Sequence, residues 1–140
     1  MQDRWAFIRG TRKGLSGVLQ QMVPDQRDLR AWIDDALLAA DLPKNVVVHR
    51  SQLNQTYAYQ IMAGQRQPSR DKLIQLCFGM GLGVDDACDL LEHGEVSALR
   101  PAVRRDVVIA YCLDRGLDLA TCDDFLWSLG EKTLADGTKD

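Results

Sequence analysis

The run LNQTYAYQIMAGQRQPSRDKLIQLCFGMGL, residues 53–82, decides how this sequence folds. Asn54 is a residue type that caps the start of a helix, and Gly64 is one that closes a helix, so a helix is predicted between them. Pro68 and Ser69 then open another helix, because proline is tolerated in a first turn and serine caps free backbone N–H groups. Two helices joined by a short connection are therefore expected here.

Outside this run the apolar residues also recur at helical spacing, and no sustained alternation of the strand type occurs. Pro24 and Pro43 end two earlier helices, and Thr121 with Asp124 is predicted to cap the last one. Only residues 45–51, with three consecutive valines, favour a strand when taken alone. We predict an all-α fold of about eight helices.

Size and composition are those of a globular protein, with 140 residues and 46% hydrophobic content. No apolar run is long enough to span a bilayer and the start lacks a hydrophobic signal core, so we expect a cytoplasmic protein without membrane contact. The sequence contains no phosphate-loop, hydrolase or zinc-protease motif, and we expect neither an enzyme nor a cofactor.

The cysteines and histidines form no metal-binding pattern, since no two cysteines are paired at close spacing. We therefore predict no metal site, and we predict that the thiols are core residues. His49 and His93 are interpreted as surface residues. The cysteines are Cys77, Cys88, Cys112 and Cys122.

Charge is unevenly distributed along the chain. The whole protein carries a formal charge of −3, but residues 44–72 carry +4, residues 73–140 carry −7 and residues 1–43 are neutral. A basic island in an acidic protein is typical of a phosphate-binding footprint, although an ordinary solvated surface gives the same pattern.

The helix that ends in Gly-x-Arg-x-Pro-Ser and the apolar helix after it resemble the lambda-repressor-like (XRE) family. The similarity covers about residues 28–92 and implies a bundle with a helix-turn-helix domain at 25–95. A helical extension at 1–24 and an acidic helical extension at 96–140 flank that domain. The matching positions are Leu53, Ala58, Ile61, Gly64, Pro68, Ser69, Leu73, Ile74, Leu76, Met80 and Leu82.

The resemblance implies a regulator that reads duplex DNA in the major groove through the helix at about 54–63. The implied base-reading residues are Gln55, Thr56 and Gln60. Glutamine can donate to and accept from adenine, and threonine offers a hydroxyl and a methyl group. The implied DNA-backbone contacts are Lys44, Arg50, Asn54, Arg66 and Arg70.

Each of these roles has an ordinary alternative. Asn54 would also serve as a helix cap, and Arg66 and Arg70 would also pair with Asp71 or with the acidic residues at 85–86. Of Tyr57 and Tyr59, which project in nearly opposite directions, one is expected to pack inward and the other to be exposed.

Three positions depart from the family pattern. Val48 stands where the family has a small alanine at the helix crossing, and a valine there is expected to push the helices apart. Gln52 stands at the turn glycine, and Met62 replaces an acidic residue.

Two interpretations of the whole protein stay open. The first is a DNA-binding regulator; the second is an adaptor that keeps the helix-turn-helix fold and holds a partner protein through an exposed tyrosine and the acidic C-terminal helices. The apolar residues of the C-terminal extension would either pack within the chain or form a homodimer or partner surface. They are Val103, Val107, Ala110, Tyr111, Phe125 and Trp127.

Overall fold

The computed structural model describes residues 4–135, and every regular element within them is an α-helix. The prediction of an all-α protein is therefore confirmed for this part of the chain. The eight helices are α1 (Leu15–Gln21), α2 (Leu29–Ala40), α3 (Lys44–Ser51), α4 (Gln55–Met62), α5 (Arg70–Met80), α6 (Val84–His93), α7 (Arg104–Asp114) and α8 (Leu119–Ser128).

The valine-rich segment forms the helix α3, not a strand. Val47 and Val48 are both buried, so packing against the rest of the bundle outweighs the preference of β-branched residues for strands. A three-residue connection then leads to α4, and its first residue, Gln52, adopts the left-handed conformation with φ of 57°. This is the turn position at which a glycine would be free of strain.

Side-chain caps fix where several helices begin. In each case the side chain accepts a hydrogen bond from a backbone N–H near the start of the helix. The capping residues include Asp28 for α2, Asn54 for α4 and Ser69 for α5. The predicted cap of the last helix was wrong: Asp118 caps α8, and Thr121 supplies the N–H that it binds.

A single hydrophobic cluster runs from Trp32 in α2 to Leu134 beyond α8. Its centre is α5, in which every residue of the stretch 73–80 is buried. The core thus continues across the boundary predicted between residues 95 and 96.

The helices α3 and α5 approach most closely at Gly79. A Cβ atom at this position would lie 2.5 Å from the backbone oxygen of Val47 and 3.0 Å from the Cβ of Ser51. The small residue of this crossing is therefore on α5, and Val48, although buried, does not hold the two helices apart. Gly79 also lies inside α5 and does not mark its end.

The polar residue Gln75 sits in the same crossing, with 1% of its surface exposed. Its Nε2 donates a hydrogen bond of 3.1 Å to the backbone oxygen of Ser51, the last residue of α3. Carbonyls at a helix C-terminus lack partners within their own helix, so this contact satisfies one of them and holds the end of α3 against α5.

Most of the apolar residues for which core packing and an intermolecular surface were both left open are exposed on the two C-terminal helices. Val103, Val107, Tyr111, Phe125 and Trp127 are between 39% and 79% exposed. Apolar residues occupy two stripes of α7, and periodicity alone does not tell which stripe packs inward. The residues that are buried are Ile109, Cys112 and Leu113 in α7, and Leu119, Cys122 and Leu126 in α8.

The N-terminal helix α1 lies outside the core and buries none of its residues. Leu15 is 75% exposed and Leu19 is 54% exposed, so the apolar side chains of this helix face solvent. An ion pair of 2.8 Å between Arg4 and Glu92 connects the start of the chain to α6. None of the helices described is both long enough and apolar enough to cross a membrane.

All four cysteines are free thiols. Cys77, Cys112 and Cys122 are buried, as predicted, whereas Cys88 is only half-buried. Burial raises the pKa of each thiol, most strongly for Cys77 and Cys122.

Candidate nucleic-acid interface

The first turn of α4 projects from the bundle. Gln55 and Thr56 are exposed at the start of the helix, while Ala58, Ile61 and Met62 further along it are buried. This division follows from the sequence, because the buried residues recur at intervals of three and four and pin one face of the helix to the core. The exposed face therefore keeps a fixed orientation relative to the bundle.

Asn54 acts as the cap of α4. Its side-chain oxygen accepts a hydrogen bond of 3.1 Å from the backbone N–H of Tyr57. Two roles were predicted for Asn54, a helix cap and a DNA-backbone contact, and this hydrogen bond corresponds to the cap. An oxygen engaged in this way sets where α4 starts, and the amide group of Asn54 remains exposed beside Gln55.

Arg66 lies against the last turns of α4. Its Nε donates a hydrogen bond of 2.9 Å to Oε1 of Gln60, and its guanidinium carbon is 5.6 Å from the ring centre of Tyr57. Arg66 is exposed and Gln60 is half-buried, so the arginine fixes the orientation of the glutamine amide while keeping its own charge in solvent.

The two tyrosines of α4 divide as predicted. Tyr57 is half-buried beneath Arg66, whereas Tyr59 is 37% exposed. Tyr59 lies on α4 one turn beyond Gln55 and Thr56 and continues their exposed face.

The two cations of α3 also remain at the surface. Nζ of Lys44 is 3.6 Å from Oδ1 of Asp34, with both side chains well exposed, and such a pair is weak in water. Arg50 is exposed in the last turn of α3 and makes no ion pair with any residue in the range 4–135. Both side chains can therefore meet an anion from solvent.

Arg70 has an internal role. Its guanidinium makes two hydrogen bonds to the carboxylate of Asp106, at 2.8 and 3.1 Å, and further bonds to the backbone oxygens of Ser97 and Ala98. Asp106 is 3% exposed. Four N–H groups are thus used within the protein, and we leave Arg70 out of the candidate interface. The predicted pairing with Asp71 also does not occur, because Arg105 binds that carboxylate.

The sequence around α4 carries positively charged residues and no negatively charged ones. Residues 42–70 contain no aspartate or glutamate, and the cations there that are exposed are Lys44, Arg50 and Arg66. In a protein with a formal charge of −3, this stretch is the part most favourable to a polyanion.

A second polar cluster consists of Asp89 and His93 on α6 and Asp25 in the segment before α2. Nε2 of His93 is 2.9 Å from Oδ2 of Asp25, and its Nδ1 is 2.8 Å from the backbone oxygen of Asp89. The side chain is only 12% exposed, so the prediction of a surface residue was wrong for His93. The indole of Trp32 donates to Asp89 at 2.8 Å and covers the site.

Asp25, Asp89 and His93 could in principle supply three metal ligands. However, each ring nitrogen of His93 already lies within hydrogen-bond distance of a different oxygen of the protein, one of Asp25 and one of Asp89. The pKa of Asp25 lies well below its usual range, chiefly because the side chain of Arg27 donates a hydrogen bond to its carboxylate. The cluster therefore functions as a clasp that joins the segment before α2 to α6.

Searches against family models, curated proteins and solved structures return no match to this chain.

Proposed function

We propose that this protein is a DNA-binding transcriptional regulator in which helices α2 to α6 form a lambda-repressor-like domain and α4 enters the major groove. The observation that carries the proposal is the exposed first turn of α4. It presents Gln55 and Thr56 to solvent on a stretch, residues 42–70, that has no acidic side chain. In helix-turn-helix proteins the early residues of the second helix contact the base edges.

The side chains of this turn suit base recognition. The amide of Gln55 can donate to N7 and accept from N6 of adenine, and Thr56 can place its methyl group against that of thymine. Gln60, one turn further along, is held by Arg66 through its Oε1, and its Nε2 donors remain available. Gln55 and Thr56 are therefore the main readers in this proposal, and Gln60 supports them.

The phosphate contacts are assigned to Lys44, Arg50 and Arg66. Arg66 follows α4 and Lys44 begins α3, so these cations flank the proposed reading helix along the chain. Contacts of this kind position a protein on the duplex without specifying sequence. Affinity should consequently fall steeply as salt increases, because each neutralised phosphate releases condensed counterions.

The proposal is tested by selection from a pool of random duplexes, followed by fluorescence anisotropy on the enriched sequence. We expect Gln55→Ala to weaken binding and to relax the preference at one base pair, at a cost of about 1–3 kcal/mol. Log affinity falls as log salt rises. Arg50→Gln and Arg66→Gln should each make this negative slope shallower by about 1, with the base preference unchanged.

Lys132→Gln is the matched control for charge. Lys132 is 70% exposed, lies beyond α8 and makes a 3.7 Å contact with Asp71, so its loss alters the net charge by the same amount. We expect a smaller change in salt slope for this variant. Equal enrichment by the wild type and the Gln55→Ala variant would remove α4 from the reading role. Absence of any salt-dependent binding would exclude the proposal altogether.

An adaptor is the second candidate, and the exposure of Tyr59 and of the apolar stripe on α7 favours it. In that case α4 would contact a protein and not a duplex. The adaptor hypothesis expects no DNA affinity above background at low salt, and a stable complex with a partner protein that Tyr59→Ala or Val107→Asp disrupts.

A further inference from the structure

One face of α7 packs in the core, and another is exposed to solvent and carries apolar side chains with a charged residue at each end. Val107 and Tyr111 are each 47% exposed. Arg104, at the start of the helix, and Asp114, at its end, are exposed as well. The spacings of three, four and three residues place these four side chains within roughly 80° of arc on one face.

The charges of this stripe are placed against the helix dipole. A cation near a helix N-terminus and an anion near its C-terminus are each unfavourable for the isolated helix. Among the described residues, Asp114 pairs with the neighbouring Arg115, at 3.4 Å with both side chains exposed, and Arg104 makes no ion pair. The helix itself therefore gains nothing from having Arg104 and Asp114 at these ends.

We propose that this stripe is an interface on which a second copy of the chain docks, with the two α7 helices antiparallel about a two-fold axis that crosses the stripe midway between Val107 and Tyr111. Such an arrangement places Arg104 opposite Asp114 of the second copy, and Val107 opposite Tyr111 of the second copy. The ion pair between Arg104 and Asp114 forms twice, because the stripe is complementary to itself. A parallel arrangement would instead put Arg104 against Arg104.

The surface beside the stripe extends the same interface. Phe125 and Leu129 of α8 are 40% and 42% exposed, and the ring of Phe125 meets that of Tyr111 edge to face, with centroids 6.4 Å apart. The guanidinium of Arg115 lies 4.0 Å above the Tyr111 ring and fixes its position. Two helices therefore present one apolar patch bordered by complementary charges, as in interfaces with an apolar centre and a polar rim.

The proposal does not depend on DNA binding and is tested by sedimentation of the 140-residue chain over concentrations from about 1 to 200 µM, which covers dissociation constants in the micromolar range. The monomer has a mass of 15.7 kDa, and we expect a transition to twice that mass. Arg104→Asp alone and Asp114→Arg alone each place like charges opposite one another, twice per dimer, and should both sediment as monomers.

A mixture and a double variant then test the geometry. In an equimolar mixture of the Arg104→Asp and Asp114→Arg proteins, both contacts between unlike chains become attractive, so the dimer should return. The doubly substituted chain, Arg104→Asp with Asp114→Arg, should also dimerise on its own. Both substituted positions, Arg104 and Asp114, are exposed, and unchanged circular dichroism would verify that the variants fold.

Asp124→Arg is the control, since Asp124 is exposed on α8 outside the stripe. It should dimerise as the wild type does. A wild-type protein that stays monomeric at every concentration would overturn the proposal and leave the stripe to another partner. Failure of the mixture and of the double variant to restore the dimer would overturn the antiparallel arrangement.

Discussion

Replacing Gly79 with alanine should destabilise the protein even though alanine is the better helix former. The added Cβ would lie 2.5 Å from the backbone oxygen of Val47, where ordinary contact begins at 3.4 Å. The helices α3 and α5 would have to separate by up to the difference of 0.9 Å, since a backbone oxygen cannot rotate away as a side chain does. A gap of about that size forfeits a quarter to a half of the contact energy along the crossing.

The magnitude follows from two opposing contributions. Overpacking of a core costs about 1–3 kcal/mol, and an overlap with backbone belongs at the upper end of that range. Alanine returns about 1 kcal/mol of helix propensity. The free energy of unfolding should therefore fall by about 2 kcal/mol, which lowers Tm by about 6–10 °C in a chain of this length.

Urea denaturation followed by circular dichroism measures this change. Gly81→Ala is the companion variant: its φ is 66° and nothing lies within 4 Å of an added Cβ, so it loses only the backbone freedom of glycine, about 1–2 kcal/mol. The closeness of α3 to α5 would be refuted if Gly79→Ala raised Tm or left it unchanged. Because α3 leads directly into α4, the same variant should also weaken any DNA binding more than Gly81→Ala does.

Three further predictions concern other parts of the chain. Arg70→Met should lower the free energy of unfolding, measured in urea, by about 3–5 kcal/mol, because it leaves the buried carboxylate of Asp106 without its cation. Adding Asp106→Leu should recover much of this loss. A change below about 1 kcal/mol in the single variant would argue against the internal pair. The hydrogen bond from the Thr121 side chain lowers the pKa of Asp118 below its ordinary value of 3.8, so its charge stabilises α8 above that pH and the contribution is lost as pH falls further. The Tm difference between wild type and Asp118→Asn should accordingly shrink below pH 3.8, whereas Asp124→Asn, at an exposed residue that caps no helix, should give a difference that does not follow this trend. A thiol-reactive disulfide reagent should modify Cys88 alone in the native protein and all four cysteines after unfolding, and rapid native reaction at Cys77 would contradict its burial.

Local signals were enough to predict the helices and several of their ends. Asn54 and Ser69 act within one turn of their own positions, so their capping roles are visible in the sequence. The buried face of α4 was predictable for the same reason, since Ala58 and Ile61 follow a regular helical period. The exposure of Thr56 then follows as the complement of that face, whereas Gln55 is exposed because it stands in the first turn and not because of the period.

Contacts between distant parts of the chain were not predictable in this way. Arg70 and Asp106 are 36 residues apart, and no local pattern links them, so Arg70 was assigned to DNA on the strength of the resemblance. The same applies to His93, whose partner Asp25 lies in a different part of the chain.

Glycines and apolar stripes gave ambiguous signals for a related reason. Gly79 is one of three glycines at alternate positions, and only the close passage of α3 distinguishes it from Gly81 and Gly83. In α7 the inward face is set by α6 and α8, which pack against it, and not by its own apolar residues. For Val107 and Tyr111 the sequence therefore left core packing and an exposed surface both open.

The pairing of Arg70 with Asp106 limits how far this protein can be treated as a set of interchangeable parts. A fragment cut after α6 would retain the arginine at the start of α5 but lose the carboxylate and the two carbonyls that hold it. Anyone transplanting the segment around α4 into another scaffold would have to carry α7 with it. For the same reason, a substitution at Asp106 should disturb Arg70 at the start of α5.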